Sequence, residues 1–159
     1  MIQQDEKFLK SAQLLCSFAG IHRNMLRYVQ KTAVDHGLSM PQYTIFMTLA
    51  RTTEMTQKKI GKKTMLPKST LSQAVDGLVR DGLIDREQVE GNRRETLLSL
   101  SPLGAELIEK IHQHEGGVHQ VFQEITESLS EEQYEKLLEV HQHINEKLAN
   151  KQQEERHKC

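Results

Sequence analysis

Residues 68–73, KSTLSQ, set a lysine, three hydroxyls and a glutamine within six positions. These are the side chains whose donors and acceptors fit nucleobase edges. Gln73 can make paired hydrogen bonds to adenine and Lys68 can donate to guanine acceptors, while Ser69, Thr70 and Ser72 can serve bases or phosphates. Further along, Arg93 and Arg94 stand side by side after Gly91-Asn92. An arginine presented on an exposed turn can enter the negative potential of a narrow minor groove. Residues 56–74 hold five lysines (Lys58, Lys59, Lys62, Lys63, Lys68) and no acid. Such a stripe is an electrostatic footprint for a polyanion, each neutralised phosphate adding affinity by counterion release. The net charge of −1 conceals it, because residues 51–100 carry 10 Lys/Arg against 7 Asp/Glu and residues 101–159 carry 6 against 12.

The elements that must present these groups follow from periodicity and caps. Residues 5–36 read as one long helix with two stripes, Leu14, Phe18, Ile21, Met25, Tyr28 and the mainly apolar Phe8, Ala12, Cys16, Ala19, Arg23, Leu26. A helix apolar on two sides must be covered on two sides, by its own domain and by a partner chain. Gly37 ends it. Ser39-x-x-Gln42, with Pro41 in the first turn, starts a second helix to about Arg51. Thr56 caps a short helix whose single strongly apolar member is Ile60, with Gly61 beside it permitting close approach. After a turn at Met65-Leu66, Pro67 opens a helix with Leu71, Ala74, Val75, Leu78 and Val79 at i, i+3, i+4, i+7, i+8, closed by Gly82. Two short helices joined by a tight turn, the second with a polar leading edge, are the plan of a helix-turn-helix. Leu83–Val89 and Glu95–Leu100 read as strands around a Gly91-Asn92 turn, forming a wing. Ser101-Pro102 caps a long helix to about Ser128, with Leu107, Ile111, His114, Val118, Ile125 and Leu129 at near-heptad spacing. Ser130-x-x-Gln133 opens a last helix, and the polar end from Asn150 is expected to fray.

The expected fold is therefore mainly α with a small β-hairpin wing. Residues 1–36 and 102–151 form a helical dimerisation region, residues 38–100 a winged helix-turn-helix lobe, and residues 152–159 a polar tail. One such lobe reads few base pairs, whereas two about one helical turn apart (~34 Å) read two half-sites together, so a homodimer on double-stranded DNA is expected. The candidate DNA-binding residues are Lys58, Lys68, Ser69, Thr70, Ser72, Gln73, Arg93 and Arg94.

The ordered run from Met55 to Leu107 resembles the core of the MarR/SlyA family of bacterial transcriptional regulators. Its marks are Ser69-Thr70-Leu71-Ser72, Leu78 with Gly82-Leu83-Ile84, Asn92-Arg93-Arg94, and Leu100-Ser101-x-x-Gly104. The resemblance implies a homodimer that binds palindromic operators, usually as a repressor, released by a small apolar or aromatic ligand or by oxidation. Such wings usually carry Asp where Asn92 stands, and the family's turn often has a small or polar residue where Met65 stands. The remaining alternatives are another winged-helix nucleic-acid factor, in replication or partition, or a zinc- or redox-sensing member of the same family.

Two features invite a sensing role. Cys16 lies in the first helix, where the hydroperoxide-sensing branch places its thiol. Registered on Pro41-Gln42-Tyr43, however, that branch's cysteine falls on Leu15 and its tyrosines on Val29 and Met40, so Cys16 is read as a small core residue. His112, His114, Glu115 and His119 invite a zinc site, yet His112 and His114 are two apart on a helix and point to different sides. No metal or cofactor is expected. Two cysteines, Cys16 and Cys159, make no metal pair or disulfide framework. Phosphate loops, G-x-S-x-G, H-E-x-x-H and Cys-x-x-Cys are all missing from the sequence, which argues against an enzyme. No basic-then-apolar leader or long apolar run occurs, and a cytoplasmic location without membrane contact is expected.

Overall fold

The computed structural model describes the backbone of residues 2–156, with side chains described for residues 5–92 and 95–154. Helix α1 spans Ile2–Asp35, and α2 spans Met40–Leu49. The turn between them is followed by a full capping box. The Gln42 amide donates to the Ser39 hydroxyl at 3.3 Å, and the Ser39 amide donates back to the Gln42 side chain at 2.9 Å. Both bonds satisfy helix-start groups that have no partner inside the helix.

Strand β1 (Glu54–Thr56) leads directly into α3 (Gln57–Thr64), whose cap is the Thr56 hydroxyl accepting from the Lys59 amide. Helix α4 (Lys68–Arg80) follows, then β2 (Ile84–Val89) and β3 (Asn92–Leu100). The sheet has three antiparallel strands in the order β1-β3-β2. Only the hairpin was expected from sequence. β1 adds a third strand by pairing Met55 with Leu98, and both of these side chains are buried.

The turn also differs from the sequence reading. Val89 pairs with Asn92, so the loop residues are Glu90 and Gly91, and Asn92 belongs to β3. Gly91 has φ +79°, a left-handed conformation that glycine adopts without steric cost, whereas Asn92 does not take a positive φ. A register shift between Gln88 and Val89 absorbs the odd residue as a bulge.

A single core draws on residues from Ala33 to Val118. Ile45, Phe46, Leu49, Ile60, Val75, Leu78, Leu98 and Ile111 are almost completely buried in it. At roughly 1.5–3 kcal/mol for each large apolar side chain removed from water, this cluster dominates the stability of the unit. Gly61 permits the close approach of α3 to α4, since a Cβ there would stand 3.0 Å from Leu71 Cδ2.

The long helix expected over residues 102–128, with a kink at Gly116-Gly117, is in fact two, α5 (Pro102–His112) and α6 (Val118–Glu127). Gly116, at φ +70°, lies between them in a left-handed conformation, and Gly117 is buried beside His114. Helix α7 runs from Glu131 to Arg156, so the segment expected to fray is helical to that point. Two compact units divide the chain after Gln120.

Much of α1 is exposed in the single chain. Phe8, Leu9, Leu14, Leu15 and Ile21 each keep half or more of their surface open. Cys16 is exposed as well, which corrects its reading as a core residue.

Candidate nucleic-acid interface

Burial of one face of α4 determines what its opposite face presents. Leu71, Ala74, Val75, Gly77 and Leu78 are buried. Lys68, Ser69 and Gln73 are left exposed, while Thr70 and Ser72 lie half-buried at the edge. The cap residue of α4 is Pro67, which makes no side-chain capping bond. The first amides of the helix therefore stay open, and the helix dipole favours negative charge at that end. No acid lies in the first turn of α4, and none lies in the first turn of α3.

On α3, Lys58, Lys59, Lys62 and Lys63 are all exposed. Ile60 is the residue that α3 buries, so the lysines are what remains on its outer surface. The turn joining α3 to α4 contains Met65 at φ 54°, the only positive φ outside glycine among the described residues. Its side chain is 82% exposed, so the strained position gains no packing in return.

The acid nearest this surface is matched by a cation that sequence reasoning did not single out. Arg86, on β2, donates to the Asp76 carboxylate on α4 at 2.8 Å. Asp76 lies one helical turn beyond Gln73, and the pairing offsets a charge that would repel a phosphate backbone. Both partners are partly exposed, so the bond contributes little to stability. Nothing in local spacing signals a contact between residues on a helix and on the strand after it.

Arg93 and Arg94 lie in the first part of β3, immediately after the hairpin loop, rather than at its tip. Their side chains lie outside the described residues.

Ser101 fixes the hairpin root to the end of α4. Its hydroxyl donates to the Gly82 carbonyl and accepts from the Gly104 amide at 3.0 Å, while its own amide donates to the Leu83 carbonyl at 3.1 Å. Ser101 is buried, and its bond from Gly104 is shielded from competing water.

The histidines that invited a zinc reading fall into two different ring pairs. His112 pairs edge-on with His119, at 4.7 Å between ring centroids. His114 pairs with His36 from the α1–α2 turn, at 4.9 Å. Glu115 is exposed. Among the described residues no group of three His, Cys, Asp or Glu side chains is arranged to hold a metal ion. Burial, and then the neighbouring His112, lower the pKa of His119. Burial alone raises that of Tyr43. No helix among the described residues is long and apolar enough to cross a membrane.

Comparison with known proteins agrees with this geometry. Residues 36–95 match the profile of the MarR family. An organic hydroperoxide resistance transcriptional regulator of Bacillus subtilis is 31% identical over 88 residues, covering 55% of this chain and 60% of the relative. The HTH-type transcriptional repressor YetL, also of Bacillus subtilis, is 26% identical over 102 residues, covering 63% and 61%. The chain thus spans about three fifths of the length of the curated relatives it matches. A crystal structure of a MarR family transcriptional regulator from Streptomyces coelicolor in complex with DNA superposes with a TM-score of 0.71 at 22% identity, over 86% of this chain and 89% of that one. At that identity the likeness speaks for the fold.

Proposed function

We propose that this chain, a member of the MarR family through its residues 36–95, is a sequence-specific DNA-binding transcriptional regulator and not an enzyme. It acts in the cytoplasm as a homodimer that represses from palindromic operators. The carrying observation is the α3–α4 surface. Four exposed lysines and the open amide end of α4 surround a polar edge that the core does not use. In this reading Lys68, Ser69, Thr70, Ser72 and Gln73 enter the major groove, Lys58 contacts the phosphate backbone, and Arg93 and Arg94 reach the adjacent minor groove.

Residues 38–100 are the reading lobe. Residues 1–36 and 102–151 supply the dimer contacts, with 152–159 as a polar tail. The exposed apolar side chains of α1, among them Leu14, Leu15 and Ile21, are the surface a second copy would cover. Release by a small apolar or aromatic ligand, or by oxidation, completes the reading. Cys16 is the thiol that an oxidant would reach among the described residues.

Selection from random duplex DNA tests this directly. The expected product is a palindrome with half-site centres about one helical turn apart (~34 Å). Gln73→Ala should relax base preference at one position of each half-site, and Arg94→Ala should weaken binding without altering the fold. A chain that shows no preference for palindromic duplex, or that binds selected DNA equally well as Arg94→Ala at physiological salt, would overturn the assignment.

A further inference from the structure

Four of the eight histidines gather where the end of α1 meets the α5–α6 break, away from the DNA-reading surface. His36 Nε2 and His114 Nδ1 face each other at 2.8 Å. The other ring nitrogen of His114 lies 3.5 Å from the Asp35 carboxylate. Beside them, His112 and His119 meet edge-on, and the Nε2 of His119 is buried with no hydrogen-bond partner. One further bond crosses the same junction, from the Val118 amide to the buried Thr32 hydroxyl at 3.0 Å. The start of α6 is thus held to α1 by Thr32, and the segment before it by His36.

We propose that the His36–His114 contact is an acid-opened latch, which holds the α5–α6 break against the end of α1 while the two facing nitrogens share one proton. A nitrogen-to-nitrogen hydrogen bond needs one donor and one acceptor, and either ring can supply the donor. A proton taken from solvent at the accepting nitrogen leaves two N–H groups directed at each other, one added positive charge and no acceptor between them. The latch then opens.

The surroundings place this event in the acid range. Burial lowers the pKa of His36 most, and His114 lowers it next. Asp35 acts in the opposite sense, and Lys110 adds a smaller lowering. His119, faced by His112, is lowered in the same direction. A histidine that binds its proton more weakly when folded than when unfolded makes stability rise with pH between its two values. The contribution is complete above the ordinary value of 6.5 and is lost as pH falls from there through the folded value.

The test uses the full chain without DNA, so its outcome is independent of the regulator reading. Amide hydrogen exchange of Val118 and its neighbours is compared at pH 7.5 and 5.5 after correction for intrinsic rates, in the parent and in His36→Gln. Glutamine can accept from His114 but takes up no proton. Protection should fall about tenfold or more in the parent and less than about twofold in the variant. Unchanged protection in the parent, or an equal loss in His36→Gln, would overturn the latch. Should the variant fail to fold, the His36 ring titration by NMR decides. It must lie below that of N-acetylhistidine amide in the same tube, and a value at or above that reference overturns the proposal.

Discussion

An alanine at position 104 should raise helix propensity in the first turn of α5 by about 1 kcal/mol. The surroundings reverse that gain. The added Cβ would collide with the Leu83 carbonyl and stand 3.3 Å from Cε2 of Phe46. Phe46 is completely buried, and the Leu83 oxygen already accepts from the Ser101 amide at 3.1 Å. Neither neighbour can withdraw without moving the end of α4 or the core. Overpacking of this kind costs about 1–3 kcal/mol, and weakening the Ser101 bond adds about 1 kcal/mol. After the propensity gain, a net loss of about 2 kcal/mol is expected. Urea unfolding followed by circular dichroism, at fixed protomer concentration, measures it. Gly61→Ala is the companion variant. Its new Cβ meets only the flexible end of Leu71, at 3.0 Å, so its effect should stay within about 1 kcal/mol of zero. A Gly104→Ala chain as stable as the parent would show that α5 can shift off Leu83 freely, and the anchoring described for Ser101 would fail with it.

Two further outcomes are expected in the same assay. Met65→Gly relieves a left-handed residue with an exposed side chain and should raise stability by about 1 kcal/mol. An unchanged or lower urea midpoint would refute the strain. Ser101→Ala removes the cap of α5 and the bond to Gly82 together, and should cost about 2–3 kcal/mol, with a loss under about 0.5 kcal/mol counting against it.

What the sequence revealed and what it hid differ by the range of the interaction. The capping serines and threonine at positions 39, 56 and 101 act on residues three positions away, and all three make the expected bonds. The buried stripe of α4 was legible for the same reason, since it repeats within one short segment. β1 was hidden because its three residues carry no alternation and become a strand only by pairing with Leu97–Ser99, over forty positions later. The partner of His114 is His36, 78 positions away, so spacing along α5 misdirected attention to a metal. Heptad-like spacing across residues 107–129 suggested one helix, but Gly116 with its positive φ outweighed that pattern. Arg93 and Arg94 were expected at a tip because Asn92 tolerates left-handed backbone, yet Gly91 supplies that conformation alone. Cys16 has apolar neighbours at helical spacing, and spacing cannot say which chain will cover them.

The three hydrogen bonds of Ser101 limit how the elements around it can move. With the tail of α4 and the head of α5 clasped at its hydroxyl and the base of the hairpin at its amide, α4 is tied to the elements that follow it. In the homodimer proposed above, a signal would then act by altering the gap between two stiff halves, each still able to fit DNA while the pair no longer matches the pitch of one operator.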